Sequence, residues 1–356
     1  MGVNFTVKEH QRLAYVDDLK GLTITSVVFY HVIAHFFLLH TYPEIDNILG
    51  KIIEIHAMVA MQIFALLSGL VFAMAYCDDN RKLQVDRYKR QLLNIFGVYV
   101  TFSLLWGILK LYLPNYFMPY DVVSVQSMYM FLIVPLPLCH MWFRHMMLLL
   151  YLVAGISCFR KYIINHFYFM LAVMLVTAPL ICSQLTGDLF LSLRNVLIHL
   201  GSFFIGMFYY YNKNSLLFNT RTGILFFCLA LFLFVLLGNK NSFVYIIISE
   251  GWTIGFFVLF AKGIVHCSWL EYIGEKCLDI YIWHFFFVAV VGNWLYSICG
   301  NYGIFVISAT TILCTILPLL FSHILKIAGF YQWFFPDGVK GPGYPKDHWE
   351  DCTDRK

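Results

Sequence analysis

Charged residues are scarce in this sequence. Asp, Glu, Lys and Arg make up 12% of its 356 residues and hydrophobic residues 60%, whereas soluble domains carry about 25% charged and about 45–50% apolar residues. This imbalance indicates a lipid environment and excludes a large soluble catalytic domain. At roughly 30 residues for each membrane-spanning helix and its loop, the chain has room for about ten spans.

Several sequence signals of other protein classes are also missing. The ten cysteines include no CxxC pair, which excludes a disulfide scaffold and a zinc site of that spacing. Lys and Arg are dispersed rather than gathered in one basic block, so the sequence predicts no nucleic-acid binding. No small-residue cleavage site follows the first apolar run, and we expect that run to be retained as a helix. No internal repeat is found, which disfavours an inverted-repeat transporter.

Apolar runs long enough to cross about 30 Å of hydrocarbon occur ten times along the chain. Lipid leaves the backbone only a helix or a closed barrel, and the short alternating segments of a barrel are absent. The sequence therefore predicts an all-α, polytopic membrane helix bundle with about ten transmembrane helices. The runs lie near residues 19–39, 52–76, 91–113, 141–159, 167–185, 194–211, 223–238, 243–262, 277–298 and 303–326.

The distribution of positive charge predicts the orientation of this bundle. With the N-terminus in the cytoplasm, all but five of the 24 lysines and arginines fall on the inner side. We therefore expect both termini to be cytoplasmic, in a multi-pass protein of the plasma or inner membrane. A membrane domain over residues 1–326 is then followed by a short cytoplasmic tail, 327–356. The five positive charges assigned to the outer side are Lys51, Lys110, Arg144, Arg194 and Lys240.

The first span carries ionisable residues, which are costly at membrane depth and are therefore functional candidates. Asp17, Lys20, His31 and His35 share one face of a helix with 100° per residue. His31 lies about 16 Å from Lys20 along the helix axis, near mid-membrane. In a structural alternative, both histidines hydrogen-bond a neighbouring helix while Lys20 reaches to the interface. A metal site at the two histidines is disfavoured because no Glu or Cys lies nearby in the helix.

Further polar candidates occur in later spans and in the inner loop before the third span. Glu250 either forms a hydrogen bond between two helices or orients an imidazole. Asp279 and His284 lie in the ninth span. Arg87 and Arg90 end a basic loop. Its positive charge either only marks the cytoplasmic side of the membrane or binds an anionic ligand through bidentate contacts.

Five motifs in order along the chain resemble the integral-membrane acyltransferases of acyltransferase family three, which includes O-acetyltransferases of cell-surface glycans and fucose 4-O-acetylase-like proteins. In the first motif ten residues separate a basic residue from a histidine, here Lys20 and His31, with Asp17 before them. The others are a Ser-Gly element, an R-x-x-R loop, an HLWFL-like element in which Arg144 stands where Leu is usual, and an IGxxSLxIYLLH-like element with Cys277 in place of Ser. They lie at Phe64–Gly69, Arg87–Arg90, His140–Arg144 and Ile273–His284.

This resemblance implies transfer of an acyl group, usually acetyl from acetyl-CoA, to a hydroxyl of a glycan or lipid-linked sugar. Acyl-CoA is then the donor substrate, with membrane lipid as surroundings and no bound metal or cofactor. His31 would act as general base or as transient carrier of the acyl group. The remaining roles are orientation of His31 by Glu250 or Asp17, donor binding by Lys20, Arg87, Arg90 and Ser68, and acceptor binding by His140, Trp142 and His284.

Two other functions remain open from the residues alone. A transporter or flippase for a glycan lipid would use the charged face of the first span to line a path. A structural membrane scaffold would leave unexplained why Asp17, Lys20 and His31 share that face.

Overall fold

Helices form nearly all of the chain that the computed structural model describes, which comprises residues 13–39, 48–78, 81–112, 141–184, 191–237, 242–299 and 304–331. Within these ranges no strand forms beyond an isolated bridge between Cys77 and Leu83. The helices of the described residues are α1 (Ala14–Leu39), α2 (Ile48–Tyr76), α3 (Val85–Tyr112), α4 (Trp142–Gly155), α5 (Ser157–Asn165), α6 (Phe167–Gln184), α7 (Leu191–Tyr211), α8 (Thr220–Leu237), α9 (Ser242–Ala261), α10 (Ser268–Glu275), α11 (Cys277–Cys299) and α12 (Ile304–Ile327), with a short 3₁₀ helix at Leu216–Phe218.

The prediction of an all-helical membrane protein is confirmed. By length and composition, five helices of the described residues could cross a membrane, or six if the bent pair α4–α5 forms one span. Two further apolar helices, Phe167–Ala178 and Thr220–Leu236, are shorter. A total of about ten spans and the cytoplasmic termini stay predictions. The long candidates are Met58–Tyr76, Val85–Leu109, Val244–Ala261, Cys277–Cys299 and Phe305–Ile327.

One predicted helix requires a correction. The apolar run 141–159 does not form a single helix, because the chain bends by 85° between α4 and α5, with Ile156 in an extended conformation. The buried guanidinium of Arg160 compensates for the helix bonds that are lost there. Its Nη1 donates to the Ala154 carbonyl at 2.6 Å and its Nη2 to the Arg81 carbonyl at 3.1 Å. Carbonyls at a helix end need such partners when water is excluded.

The first helix occupies the centre of the bundle. It packs against α2, α9, α10, α11 and α12, so its polar residues face protein on several sides. α2 packs in turn against α7 and α9, and α4 packs against α3 and α7. A side chain on α1 or α2 can therefore meet residues from most of the other motifs, although these are far apart in sequence.

Close helix contact depends on glycines at the crossing of α2 and α7. A Cβ at Gly69 would collide with the Phe203 carbonyl, and one at Gly206 with the Leu66 carbonyl. Helices in lipid gain little from hydrophobic burial against each other, so close backbone approach through small residues supplies much of their packing. The glycine of the Ser-Gly element in the second span therefore serves helix packing.

Candidate active site

His31 meets a second histidine from a distant part of the chain. The rings of His31 on α1 and His284 on α11 have centroids 5.2 Å apart and are tilted by 43°. Phe285 contacts His31 edge-on at 5.5 Å, and Trp106 of α3 packs against Phe285 at 5.9 Å. The imidazole therefore packs against α11, on which α3 packs in turn, and the first and last of the five motifs meet at this pair.

His284 is held in one orientation by its own helix. Its Nδ1 lies 3.0 Å from the Ile280 carbonyl and 2.9 Å from the Tyr281 carbonyl. Carbonyl oxygens only accept hydrogen bonds, so Nδ1 carries the hydrogen and Nε2 is the nitrogen with acceptor capacity. His284 is fully buried, whereas His31 is partly exposed. His31 is thus the member of the pair that a substrate can reach.

The structure describes the N-terminal part of the predicted charged face of the first helix. Lys20 Nζ donates to Asp17 Oδ1 at 3.3 Å, and the Lys20 side chain stays 13% exposed. Cys277, at the start of α11, interacts electrostatically with both residues. The side chain of His35 lies outside the described residues. Asp17 is therefore the ion-pair partner of Lys20. Its role in orienting His31 stays a prediction.

Arg144, which departs from the family pattern and was counted among the outer positive charges, lies close to this site. Its guanidinium lies 5.9 Å from the ring centroid of Tyr281, and it interacts electrostatically with Cys277. Since Tyr281 and His284 have ring centroids 6.2 Å apart, Arg144 is two aromatic rings away from His31. Charge counting places Arg144 on the outer side and Lys276, the neighbour of Cys277, on the inner side, and both assignments stay predictions.

The middle motifs also converge on this region. Phe143, of the element that includes Trp142, packs against Phe64 at 5.5 Å and against Tyr281 at 5.9 Å. Phe64 begins the Ser-Gly element, in which Ser68 is partly exposed. His140 lies outside the described residues. Elements separated by more than two hundred residues are thus joined through aromatic side chains.

The two candidate carboxyl groups of the later spans are bound elsewhere. Glu250 of α9 accepts a hydrogen bond from Ser202 Oγ of α7 at 2.7 Å, whereas the ring of His31 contacts α11. Asp279 accepts from Tyr331 Oη at 2.8 Å and pairs with Lys326 Nζ at 3.4 Å. Asp279 therefore ties α11 to the end of α12.

The basic loop lies on the surface at the start of α3. Arg87 and Arg90 are both exposed, and Arg87 is close enough to Tyr76 of α2 to interact with it electrostatically. Exposed guanidinium groups are well suited to an anionic ligand that arrives from water. Among the described residues no group of three or more His, Cys, Asp or Glu side chains could hold a metal ion.

An all-helical membrane protein with a pair of packed histidines in its interior suits group transfer. The family model for an acyltransferase domain, that of acyltransferase family 3, matches residues 13–324. Because the match covers most of the chain, the protein belongs to this family and is an acyltransferase. The comparisons with curated proteins and with solved structures gave no match.

Proposed function

We propose that this protein is a membrane O-acyltransferase that moves an acyl group, acetyl by preference, from cytoplasmic acyl-CoA to a hydroxyl of a surface or lipid-linked glycan. The observation that carries the proposal is the contact between His31 and His284 in a chain of this family. We further propose about ten spans, on the apolar runs described above, and cytoplasmic termini in the plasma or inner membrane, on the charge distribution.

The chemistry needs a base beside the acceptor hydroxyl. Neutral His31 takes the hydroxyl proton while the hydroxyl oxygen attacks the thioester carbonyl. The carbon–sulfur bond then breaks, and the imidazolium returns its proton to the leaving thiolate of CoA. His284 packs beside the ring that carries the proton and limits its orientation. Enclosure of His31 by Phe285 keeps bulk water from competing with the acceptor hydroxyl.

The positive side chains are placed for a polyanionic donor. Arg87 and Arg90 are exposed at the loop where acyl-CoA would first bind from the cytoplasm, and Lys20 and Arg144 lie further inside. Positive charge that continues from the surface into the bundle attracts the donor and then fixes its phosphates. The thioester at the other end of the pantetheine arm can then reach His31.

The test is acyl transfer by the purified protein in lipid nanodiscs supplied with radiolabelled acetyl-CoA, combined with mass spectrometry of surface glycans from cells with and without the protein. We expect CoA release that depends on His31, and a glycan acyl increment that is lost with the protein. Glycans of unchanged mass but altered distribution across the membrane would favour the flippase alternative. A trapped acyl-enzyme would identify His31 as acyl carrier rather than base.

A further inference from the structure

A second polar cluster lies inside the bundle, on helices α2, α7 and α9. It consists of Gln62, His199, Ser202, Glu250 and Thr253, all buried. Ser202 donates to Glu250 Oε1 at 2.7 Å, and Thr253 Oγ1 donates to Gln62 Oε1 at 3.3 Å. Glu250 and Thr253 are three residues apart on α9, as His199 and Ser202 are on α7, so each pair shares a helix face. The cluster therefore joins three helices around one polar interior.

Three polar atoms of this cluster have no hydrogen-bond partner within the described part of the chain. They are Gln62 Nε2, His199 Nε2 and Glu250 Oε2, and each is buried. Buried polar groups are nearly always hydrogen-bonded, and an unpaired one is destabilising. Three such atoms in one cluster indicate that something other than this chain's own side chains bonds to them.

The hydrogen-bonding capacity of the three atoms limits which ligand can bind there. His199 Nδ1 lies 2.7 Å from the Asn195 carbonyl and therefore carries the hydrogen, which leaves Nε2 as an acceptor. Gln62 Nε2 is a donor, and Glu250 supplies a carboxyl oxygen. A hydroxyl group donates one hydrogen bond and accepts others, so neighbouring hydroxyls match this set. An anion would meet the acceptor nitrogen and the carboxyl, so it is disfavoured there.

An indole stands at the edge of the cluster. Trp142 of α4 contacts the ring of His199, with centroids 6.0 Å apart and planes tilted by 52°, and it is partly exposed. Aromatic faces pack well against the apolar faces of sugar rings, because both are flat and carry C–H groups. Moreover, α2 packs against both α1 and α9, so the cluster adjoins the helix that carries His31.

We infer that Gln62, His199 and Glu250, with Trp142 beside them, bind the hydroxyl groups of a neutral sugar acceptor. The inference rests on the proposed function and assigns the acceptor to a neutral carbohydrate. It separates the two substrates: the polyanionic donor binds along Lys20, Arg144 and the basic loop, while the acceptor binds at a cluster without positive side chains. A water molecule presents the same hydrogen-bonding groups as a hydroxyl, so ordered water alone is the competing explanation.

The experiment compares the wild-type protein with Gln62→Leu and His199→Phe in nanodiscs. The acceptors are the n-octyl β-D-glycosides of glucose, galactose and mannose below their micellar concentrations, with octanol and octyl phosphate as chain-matched comparators. Acetyl transfer from radiolabelled acetyl-CoA gives separate KM values for donor and acceptor. The matched control is Ser249→Ala, because this buried hydroxyl next to Glu250 donates to the Ile246 carbonyl of its own helix.

Each variant should raise the KM for the accepted glycoside about tenfold or more, since loss of one hydrogen bond to a hydroxyl has roughly that effect. The KM for acetyl-CoA should not change, and Ser249→Ala should match the wild type. The thermal unfolding midpoint of His199→Phe should change little, because the lost Nδ1 bond goes to a carbonyl of its own helix and an unpaired polar atom is replaced by carbon. His199→Phe, if its midpoint is unchanged, can therefore test the inference even when Gln62→Leu folds poorly.

Unchanged glycoside KM values in folded variants would show that the cluster holds ordered water only, and would overturn the inference while leaving the proposed function intact. Preference for octyl phosphate over every glycoside would overturn it as well. If the wild-type protein transfers no acyl group to any compound, the proposed function fails. The inference is then decided by whether the glycosides raise the unfolding midpoint of the wild type but not of the variants.

Discussion

Asp18 of α1 and His266, in the loop before α10, form an ion pair with 2.8 Å between Oδ2 and Nδ1. The Asp18 carboxyl is buried and also accepts from the backbone N–H of Cys267 at 3.4 Å, where α10 begins. A negative charge at this end of a helix is stabilising. Asp17 and Asp18 thus act differently although they are neighbours: one pairs with Lys20 inside the site, and the other fixes α10 against α1.

The first prediction concerns the pH dependence of this pair. The hydrogen bond and the charge of Asp18 raise the pKa of His266 above its ordinary value of about 6.5. A raised pKa in the folded state means that the stabilisation is complete below about pH 6.5 and is lost as the pH rises through the raised value. We expect the thermal unfolding midpoint to fall across that window, by a small amount because the imidazole is mostly exposed.

His266→Gln should remove this pH dependence, and His166→Gln, at the junction of α5 and α6, is the control that should retain it. Thermal unfolding of the detergent-solubilised protein between pH 5.5 and 8.5 provides the measurement. A slope that persists in His266→Gln would assign the titration to another group.

The second prediction concerns the crossing of α1 and α10. A Cβ at Gly274 would collide with the Asp17 carbonyl, and one at Gly21 with the Leu270 carbonyl. Gly274→Ala must therefore separate two backbones, and we expect a loss of about 1–3 kcal/mol of stability or more. Gly97→Ala on α3 is the control, since a Cβ there meets nothing within 4 Å and should be stabilising by up to about 1 kcal/mol. Equal unfolding midpoints for both variants would contradict the packing argument.

A third prediction tests the base. His31→Ala should lower the transfer rate by about 10²–10⁴-fold while expression and membrane insertion stay normal, because a general base contributes roughly this factor. The control is His145→Phe, which replaces another buried imidazole and retains a ring to stack on Tyr99, at 5.4 Å in the wild type. Near-normal activity of His31→Ala would refute the assignment of the base.

Arg144 is the subject of the fourth prediction. Arg144→Leu places the usual family residue at this position and removes a charge-assisted contact to the donor. Such a contact is worth about 1.5–3 kcal/mol, so the KM for acyl-CoA should rise roughly tenfold to a hundredfold. Arg221→Leu, at an exposed position at the start of α8, is the control. If donor saturation is the same in both variants, Arg144 serves packing against Tyr281 instead.

The fifth prediction concerns the basic loop. Arg87→Ala and Arg90→Ala should each raise the KM for acyl-CoA about tenfold, and high ionic strength should weaken donor binding in the same direction. Lys89→Ala removes an equally exposed positive charge between them. If the KM is unaffected by the two arginine variants, the loop is a topology signal only.

Helical periodicity predicted the part of the site that lies on a single helix. Asp17 and Lys20 are three residues apart, so their pairing follows from helix geometry. The contact of His31 with His284 could not be predicted in this way. The two residues are 253 positions apart, and only the packing of α1 against α11 brings them together.

The surroundings of other residues could not be read from the sequence. Arg144 was assigned by charge counting, which considers only loops and helix ends, although an ionisable residue within an apolar run was itself a reason to examine it. Glu250 was correctly singled out as buried, but the choice between Ser202 and an imidazole as its partner depends on the rotation of α9 about its axis. No sequence pattern specifies that rotation for a helix that is apolar on all sides.

The bend between α4 and α5 has a consequence for the loop before α3. Arg81 adopts a left-handed backbone conformation with φ 60°, which is unfavourable for a residue with a Cβ. Its carbonyl accepts from Arg160, and its Nη1 donates to Asn165 Oδ1 at 2.6 Å. The loop thereby holds Arg160, whose guanidinium in turn donates to the last carbonyls of α4. Insertions and deletions, which surface loops usually accept, will here expose the end of a buried helix, so residues near Arg81 are a poor place for an epitope tag.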